Sequence, residues 1–197
     1  EVSFSSQQID LPKSIGELKR VEIADMDLNG SFELVLLADN LLSVITPDIN
    51  GKASSVISSV MIDAGYTDFI LADLDQDSDP NLSSKIEGAP CALADLDLIC
   101  FGSAGIAIYE NLMGNPTEVS NENSSFRQTQ SESLAELSNV TAVSAADFDL
   151  DGDLDLIIID FEGKVSLWAN YREFQFSDVT ARSALPPDDF FCEEAIA

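Results

Sequence analysis

The sequence predicts an all-β fold made of consecutive four-stranded antiparallel sheets, and three observations support this prediction. Short runs rich in Val, Ile, Leu and Phe alternate with turns that contain Asp, Gly or Asn. The same order of runs returns three times along the 197 residues. An Asp-rich loop follows the first run of each repeat.

The third repeat is the clearest of the three. Its four predicted strands are VTAVSAADF (140–148), LIIID (156–160), KVSLWAN (164–170) and FQFSDVT (174–180). The loop DFDLDGDLD (147–155) joins the first two strands, and Glu162 and Gly163 form the next turn. This order predicts an antiparallel meander, in which each strand pairs with the one that follows it.

The first and second repeats have the same order of strands and turns. The first consists of LKRVEIAD, LVLLA, LLSVIT and SSVISSVMI, with the loop DMDLNGSFE after its first strand. The second consists of TDFILAD, LICF and IAIYEN, with a loop that begins DLDQD and a fourth strand placed near Phe126. The second repeat is longer, and we assign its extra length to insertions near 79–94 and 114–125.

Repeats of about this length predict β-propeller blades, of which this chain would contain about three. A closed propeller needs roughly four to eight blades, because closure removes exposed sheet edges. We therefore expect a fragment of a larger propeller. Its predicted parts are an outer strand of a preceding blade (1–11), blade 1 (12–62), blade 2 (63–135), blade 3 (136–185) and the start of a further blade (186–197).

Charge and composition exclude several classes of function. The chain has 36 Asp and Glu against 9 Lys and Arg, a net charge of −27, which argues against nucleic acid or an anionic membrane as a partner. Apolar runs such as 156–159 are too short for membrane insertion. No His occurs, which excludes Ser-His-Asp and Cys-His catalysis and leaves oxygen-ligand metal chemistry. We expect a protein that is not an enzyme.

The loop of the third repeat has the oxygen-rich pattern of a calcium site. Counted from its first Asp, positions 1, 3, 5, 7 and 9 are Asp147, Asp149, Asp151, Asp153 and Asp155. Ca²⁺ takes 6 to 8 oxygen ligands, and Gly152 at position 6 permits a sharp turn with positive φ. An EF-hand would need Glu at position 12 and a following helix, but Ile158 stands there within a strand-like run.

The other two loops depart from this pattern to different degrees. The first offers Asp25, Asp27, Asn29, Ser31 and Glu33 at the same positions. Asn29 removes a charge and Glu33 is longer than Asp, so we expect looser binding there.

In the second loop, the first three positions are Asp73, Asp75 and Asp77, and Ser78 replaces the glycine. We prefer an insertion inside this loop that leaves Asp95 and Asp97 as positions 7 and 9; the alternative uses Asp79 and Asn81. Calcium binding at the second loop stays an open question at this point.

The segment ADFDLDGDLDLIIID, followed by GKVSLWAN and FQFSDVTARSAL, resembles the FG-GAP/VCBS repeat family. Such repeats build integrin-α-like propellers and many secreted bacterial proteins, some with a neighbouring ASPIC/UnbV-type region. The resemblance implies two to three structural Ca²⁺ ions and a place outside the cytoplasm: extracellular, periplasmic or at the cell surface. It implies ligation by the side chains at positions 1, 3, 5 and 9 and by the backbone carbonyl at position 7, which is Asp153 or Ser31.

The leading functional hypothesis is a calcium-stiffened module that binds an extracellular protein or glycan, as in adhesion. The alternative is a part, catalytic or not, of a polysaccharide-acting enzyme, or a lectin. Open blade faces also allow self-association. Of the three cysteines, Cys100 lies in an apolar run and is either a buried free thiol or a partner of Cys91; Cys192 completes the odd count. Tyr109 and Trp168 are predicted to be core residues.

Overall fold

The computed structural model describes residues 11–12, 15–47, 54–75, 95–113, 125–129, 131–172 and 174–182. Within these ranges the chain forms twelve β-strands in three four-stranded antiparallel sheets, with two 3₁₀ turns at Leu134–Glu136 and Thr180–Arg182. The predicted all-β fold is confirmed. Apart from Leu11 and Ser125, the predicted outer strand at 1–11, the insertions near 79–94 and 114–125, and the segment 186–197 lie outside the described residues.

Each sheet is a meander and corresponds to one repeat, here called blades 1, 2 and 3. Blade 1 consists of β1 (Leu18–Ala24), β2 (Glu33–Ala38), β3 (Leu41–Thr46) and β4 (Ser55–Met61). Blade 2 consists of β5 (Tyr66–Ala72), β6 (Asp97–Gly102), β7 (Gly105–Asn111) and β8 (Phe126–Thr129). Blade 3 consists of β9 (Val140–Ala146), β10 (Asp155–Asp160), β11 (Val165–Asn170) and β12 (Phe176–Asp178).

The registers of the three blades match position by position. Leu34 pairs with Ile45 in blade 1, as Leu98 pairs with Tyr109 in blade 2 and Leu156 with Trp168 in blade 3. The residue at loop position 9 therefore opens the second strand of every blade. Equivalent residues in different blades can be compared directly on this basis.

Blade 2 lies between two hydrophobic cores. Every residue of β6 is buried, and its side chains alternate between the two faces of the sheet. Leu98 and Cys100 pack in the core shared with blade 1, whereas Ile99 and Phe101 pack in the core shared with blade 3. This double burial explains the unbroken apolar run of the strand, because both faces must exclude water.

The aromatic residues and Cys100 lie where the sequence predicts them. Tyr109 is buried between blades 1 and 2, and Trp168 between blades 2 and 3. Cys100 is a free, fully buried thiol, and burial raises its pKa to about 12. Cys91 and Cys192 lie outside the described residues. The described ranges also include no helix of the length and apolarity that crossing a membrane requires.

Candidate metal centre

Each Asp-rich loop connects the first and second strands of its blade, and its acidic side chains converge. In every loop, three carboxylates each offer an oxygen that lies within 4.8 Å of the other two. These groups are Asp25, Asp27 and Glu33 in loop 1, Asp73, Asp75 and Asp97 in loop 2, and Asp147, Asp149 and Asp151 in loop 3. Three acidic groups at matching points of the repeat could therefore hold a metal ion.

The carboxylate at position 9 forms the buried floor of each loop. Glu33 and Asp155 are fully buried, and Asp97 is 2% exposed. The backbone N–H at position 2 donates to this carboxylate at 3.0–3.1 Å in all three blades: Met26 to Glu33, Leu74 to Asp97 and Phe148 to Asp155. The loop thus folds back over its own last acidic residue.

Burial raises the pKa of the three carboxylates at position 9. Loss of hydration raises the pKa of Asp97 to about 8, although backbone hydrogen bonds from Asn111 and Leu74 oppose the rise and the neighbouring Asp75 adds to it. The pKa values of Glu33 and Asp155 are raised for the same main reason. A bound cation would favour the charged forms and reverse this shift.

The turn at position 6 requires glycine because of its backbone conformation and not for lack of space. Gly30 has φ of +88° and Gly152 has φ of +100°, and a Cβ added to either would meet nothing within 4 Å. Their N–H groups donate to the first Asp of the loop, Asp25 at 2.8 Å and Asp147 at 3.2 Å. The same turn therefore forms in loops 1 and 3 from different flanking residues.

Position 7 differs between the loops. In loop 3 the carboxylate of Asp153 is 5% exposed and pairs with Arg172, whose Nε lies 3.3 Å from Oδ1. Its side chain is thus engaged by a protein cation, which leaves its backbone carbonyl as the candidate ligand. In loop 1 the equivalent Ser31 is exposed. Sequence reasoning missed Arg172, because it lies on the connection after β11 and is close to Asp153 only in the fold.

Two asparagines that the sequence analysis missed complete the floor of loops 2 and 3. Asn111 closes β7, and its backbone N–H donates to Asp97 Oδ1 at 3.0 Å. Asn170 closes β11 and donates to Asp155 Oδ1 at 2.9 Å. An Asn at the end of the third strand in both repeats was the available signal. Both oxygens of each Asp are thereby hydrogen-bonded.

Blade 1 lacks this second donor. In its register the equivalent residue is Pro47, which has no backbone N–H. Glu33 Oε1 accordingly has no hydrogen-bond partner among the described residues, although it is fully buried. A buried carboxylate oxygen without a partner costs free energy unless a cation or water meets it. The residues present therefore fit a cation in loop 1.

Loop 2 brings its chain ends together across the insertion. Asp97 lies beside Asp73 and Asp75, although 23 residues separate it from Leu74. Asp95, at the predicted position 7, is buried. Asp77 and the alternative ligands Asp79 and Asn81 lie outside the described residues.

A search of curated proteins finds no significant match for this chain. Residues 94–158 match the family model of the FG-GAP-like repeat. The matched segment starts just before Asp95, crosses strands β6 to β9 and includes the whole of loop 3. It therefore covers parts of two blades and the interface between them. Residues 94–158 thus carry an FG-GAP-like repeat, and together with the blade-like sheets this match supports a propeller-type module.

Proposed function

We propose that this chain is a calcium-binding propeller module in which Ca²⁺ has a structural role. The observation that carries the proposal is that the fully buried Glu33 Oε1 has no hydrogen-bond partner among the described residues. Glu33 belongs to one of three acidic groups, and each repeat has such a group in the same loop. An acidic surface alone would not bury a carboxylate oxygen in this way. A cation would supply the missing partner.

The donor chemistry favours Ca²⁺ over other metals. Carboxylate and carbonyl oxygens are hard ligands, and the chain has no His to select zinc or copper. Mg²⁺ usually retains several waters and takes one or two carboxylates, whereas these loops offer three or more. In loop 3 the holding residues would be Asp147, Asp149, Asp151 and Asp155 through their side chains and Asp153 through its carbonyl.

The proposed role for calcium is to close each acidic hairpin. Without a cation, carboxylates this close repel one another and burial adds a penalty for their charge. When bound, calcium supplies the positive charge that offsets both effects. The chain's own contribution is the preformed turn, in which glycine and backbone N–H groups hold the carboxylates at one point.

We place this module outside the cytoplasm and assign it a protein or glycan ligand. Extracellular calcium fills sites with dissociation constants of about 10⁻⁴ to 10⁻³ M, which suits loops of this kind. An open cleft of about 710 Å³ beside blade 3 supports a glycan, because it combines the exposed ring of Tyr171 with charged side chains. Its lining includes Glu132, Trp168, Tyr171, Asp178 and Arg182.

Calorimetric titration of the metal-stripped chain with Ca²⁺ tests the metal assignment. We expect two to three ions to bind and the melting temperature to rise by several degrees, because each ion stabilises only the folded state. Asp149→Asn should remove loop 3 from the titration. Glu162→Gln changes the charge equally on an exposed turn and is the matched control. An identical melting curve with calcium and with chelator would contradict the proposal.

A glycan-array screen, run beside a turnover assay on acidic polysaccharides, tests the binding role. Binding without turnover supports a module that is not an enzyme. Turnover of any polysaccharide would favour the alternative of an enzyme or a catalytic part of one.

A further inference from the structure

Asn111 and Asn170 each connect two blades as well as completing their own loop. The backbone N–H of Asn170 donates to Asp155 of loop 3, while its side-chain Nδ2 donates to the carbonyl of Leu74 in loop 2 at 2.7 Å. Asn111 does the same one blade earlier. Its backbone N–H donates to Asp97 of loop 2, and its Nδ2 donates to the carbonyl of Met26 in loop 1 at 2.8 Å. The equivalent residue of blades 2 and 3 therefore contacts two successive loops.

The contacted residue is the one that organises the preceding loop. Met26 and Leu74 both occupy position 2, and each donates its own N–H to the floor carboxylate of its loop. Both side chains are buried in the cores between the blades. The residue at position 2 is thus hydrogen-bonded on both sides. Its N–H donates to the carboxylate of its own blade, and its carbonyl accepts from the asparagine of the next blade.

We propose that Asn111 and Asn170 are positioning residues through which blades 2 and 3 each orient the metal loop of the blade before them. This inference rests on the proposed calcium function. Its consequence is directional: the affinity of loop 2 depends on Asn170 of blade 3, and the affinity of loop 1 depends on Asn111 of blade 2. By linkage, calcium in one loop strengthens the docking of the following blade.

Alanine substitution separates the two roles, because alanine retains the backbone N–H and loses only the side-chain amide. Asn170→Ala keeps the bond to Asp155 and removes the bond to Leu74. The two bonds are buried, so the expected loss is the effect of one hydrogen bond, about three- to tenfold in affinity. Asn111→Ala is the matched control, since it should affect a different loop, although it also removes the bond that Asn111 Oδ1 accepts from the Met113 N–H at 3.0 Å.

The experiment uses the full chain with one active loop at a time. Asp27→Asn with Asp149→Asn leaves loop 2, Asp27→Asn with Asp75→Asn leaves loop 3, and Asp75→Asn with Asp149→Asn leaves loop 1. We expect Asn170→Ala to weaken Ca²⁺ binding about three- to tenfold at loop 2 and less than about twofold at loop 3. Asn111→Ala should weaken loop 1 in the same way and spare loop 2.

Equal weakening of both loops by either variant, or no change at the preceding loop, would overturn the inference. Hydrogen exchange in chelator provides a second readout without metal. Asn170→Ala should speed exchange of the Leu74 amide and leave that of Phe148 unchanged; an unchanged Leu74 amide counts against the inference. If the parent chain binds no calcium, the proposed function fails, and the exchange result still reports whether the inter-blade bond orders the loop.

Discussion

Glu33, Asp97 and Asp155 occupy equivalent positions, but their surroundings differ by one hydrogen bond. The two aspartates accept from N–H groups on both oxygens, whereas among the described residues Glu33 accepts only from Met26. The missing donor follows from a single residue, Pro47, which stands where the other blades have Asn. A cation in loop 1 would meet Glu33 Oε1, and one in loop 3 would meet Asp147 Oδ1, because neither buried oxygen has a hydrogen-bond partner among the described residues.

Pro47→Asn should stabilise the metal-free chain. The new N–H would meet Glu33 Oε1 and remove a cost of about 1–3 kcal/mol for a buried unpaired acceptor. Loss of proline raises the entropy of the unfolded chain and costs about 0.4–1 kcal/mol, which Pro12→Asn measures separately. Urea unfolding in chelator should give Pro47→Asn a free energy of unfolding about 1 kcal/mol or more above that of Pro12→Asn.

The same unfolding measurement in calcium tests whether a cation meets this oxygen. If the cation meets the same oxygen, the gain from Pro47→Asn should shrink when calcium is present. A gain of the same size in calcium and in chelator would show that Glu33 Oε1 is not directed at a metal.

At the scale of the element, two glycines with similar φ angles differ in the space around them. Gly152 in loop 3 and Gly105 at the start of β7 have φ of +100° and +98°. Around Gly152 there is open space, whereas a Cβ on Gly105 would lie 2.1 Å from the carbonyl oxygen of Leu137. Gly105 is therefore required both by its conformation and by the backbone that leads into blade 3.

Alanine at these two glycines should separate strain from steric overlap. Gly152→Ala should lower the free energy of unfolding by about 1–2 kcal/mol, the cost of a strained backbone alone. Gly105→Ala should lower it by about 2–5 kcal/mol, because the backbone near Leu137 must also move. Both are measured by urea unfolding in chelator. Equal losses would show that the Leu137 backbone adjusts without cost.

At the scale of the whole molecule, stability depends on the contacts between blades. Each blade is only one sheet thick, so its apolar faces can be buried only by its neighbours. Blade 2 contributes to both cores, and the asparagine bonds cross the same two interfaces. Blade docking and loop geometry therefore depend on the same surfaces.

Phe69→Ala should destabilise blades 1 and 2 together. Phe69 is fully buried in the core between them, and its removal should cost about 3–5 kcal/mol. Phe161→Ala is the matched control, because Phe161 is 66% exposed and its loss should cost below about 0.5 kcal/mol. Hydrogen exchange should show faster opening in β2 and β6 alike. Opening confined to blade 2 would contradict a shared core.

Local pattern in the sequence predicted the blades and the metal loops. Strand runs, turn residues and loop spacing are short-range features, so the order of strands, the place of β8 and the acidic groups could be read from residues 140–180 and their repeats. The insertion in loop 2 interrupts the pattern, so the sequence left a preferred and an alternative set of residues for positions 7 and 9, whereas the sheet register places Asp97 beside Asp73 and Asp75.

The sequence by itself determined that the chain forms acidic hairpin loops on four-stranded sheets, because strand alternation, turn residues and carboxylate spacing act within a few residues of one another. Only the tertiary structure decided which groups surround each carboxylate. Arg172 reaches Asp153, Pro47 leaves Glu33 unpaired, and the asparagines join successive loops, one of them across 96 residues of chain. The first two contacts depend on strand pairing within one blade, and the asparagine contacts depend on how blades stack; both bring together residues that no local pattern connects.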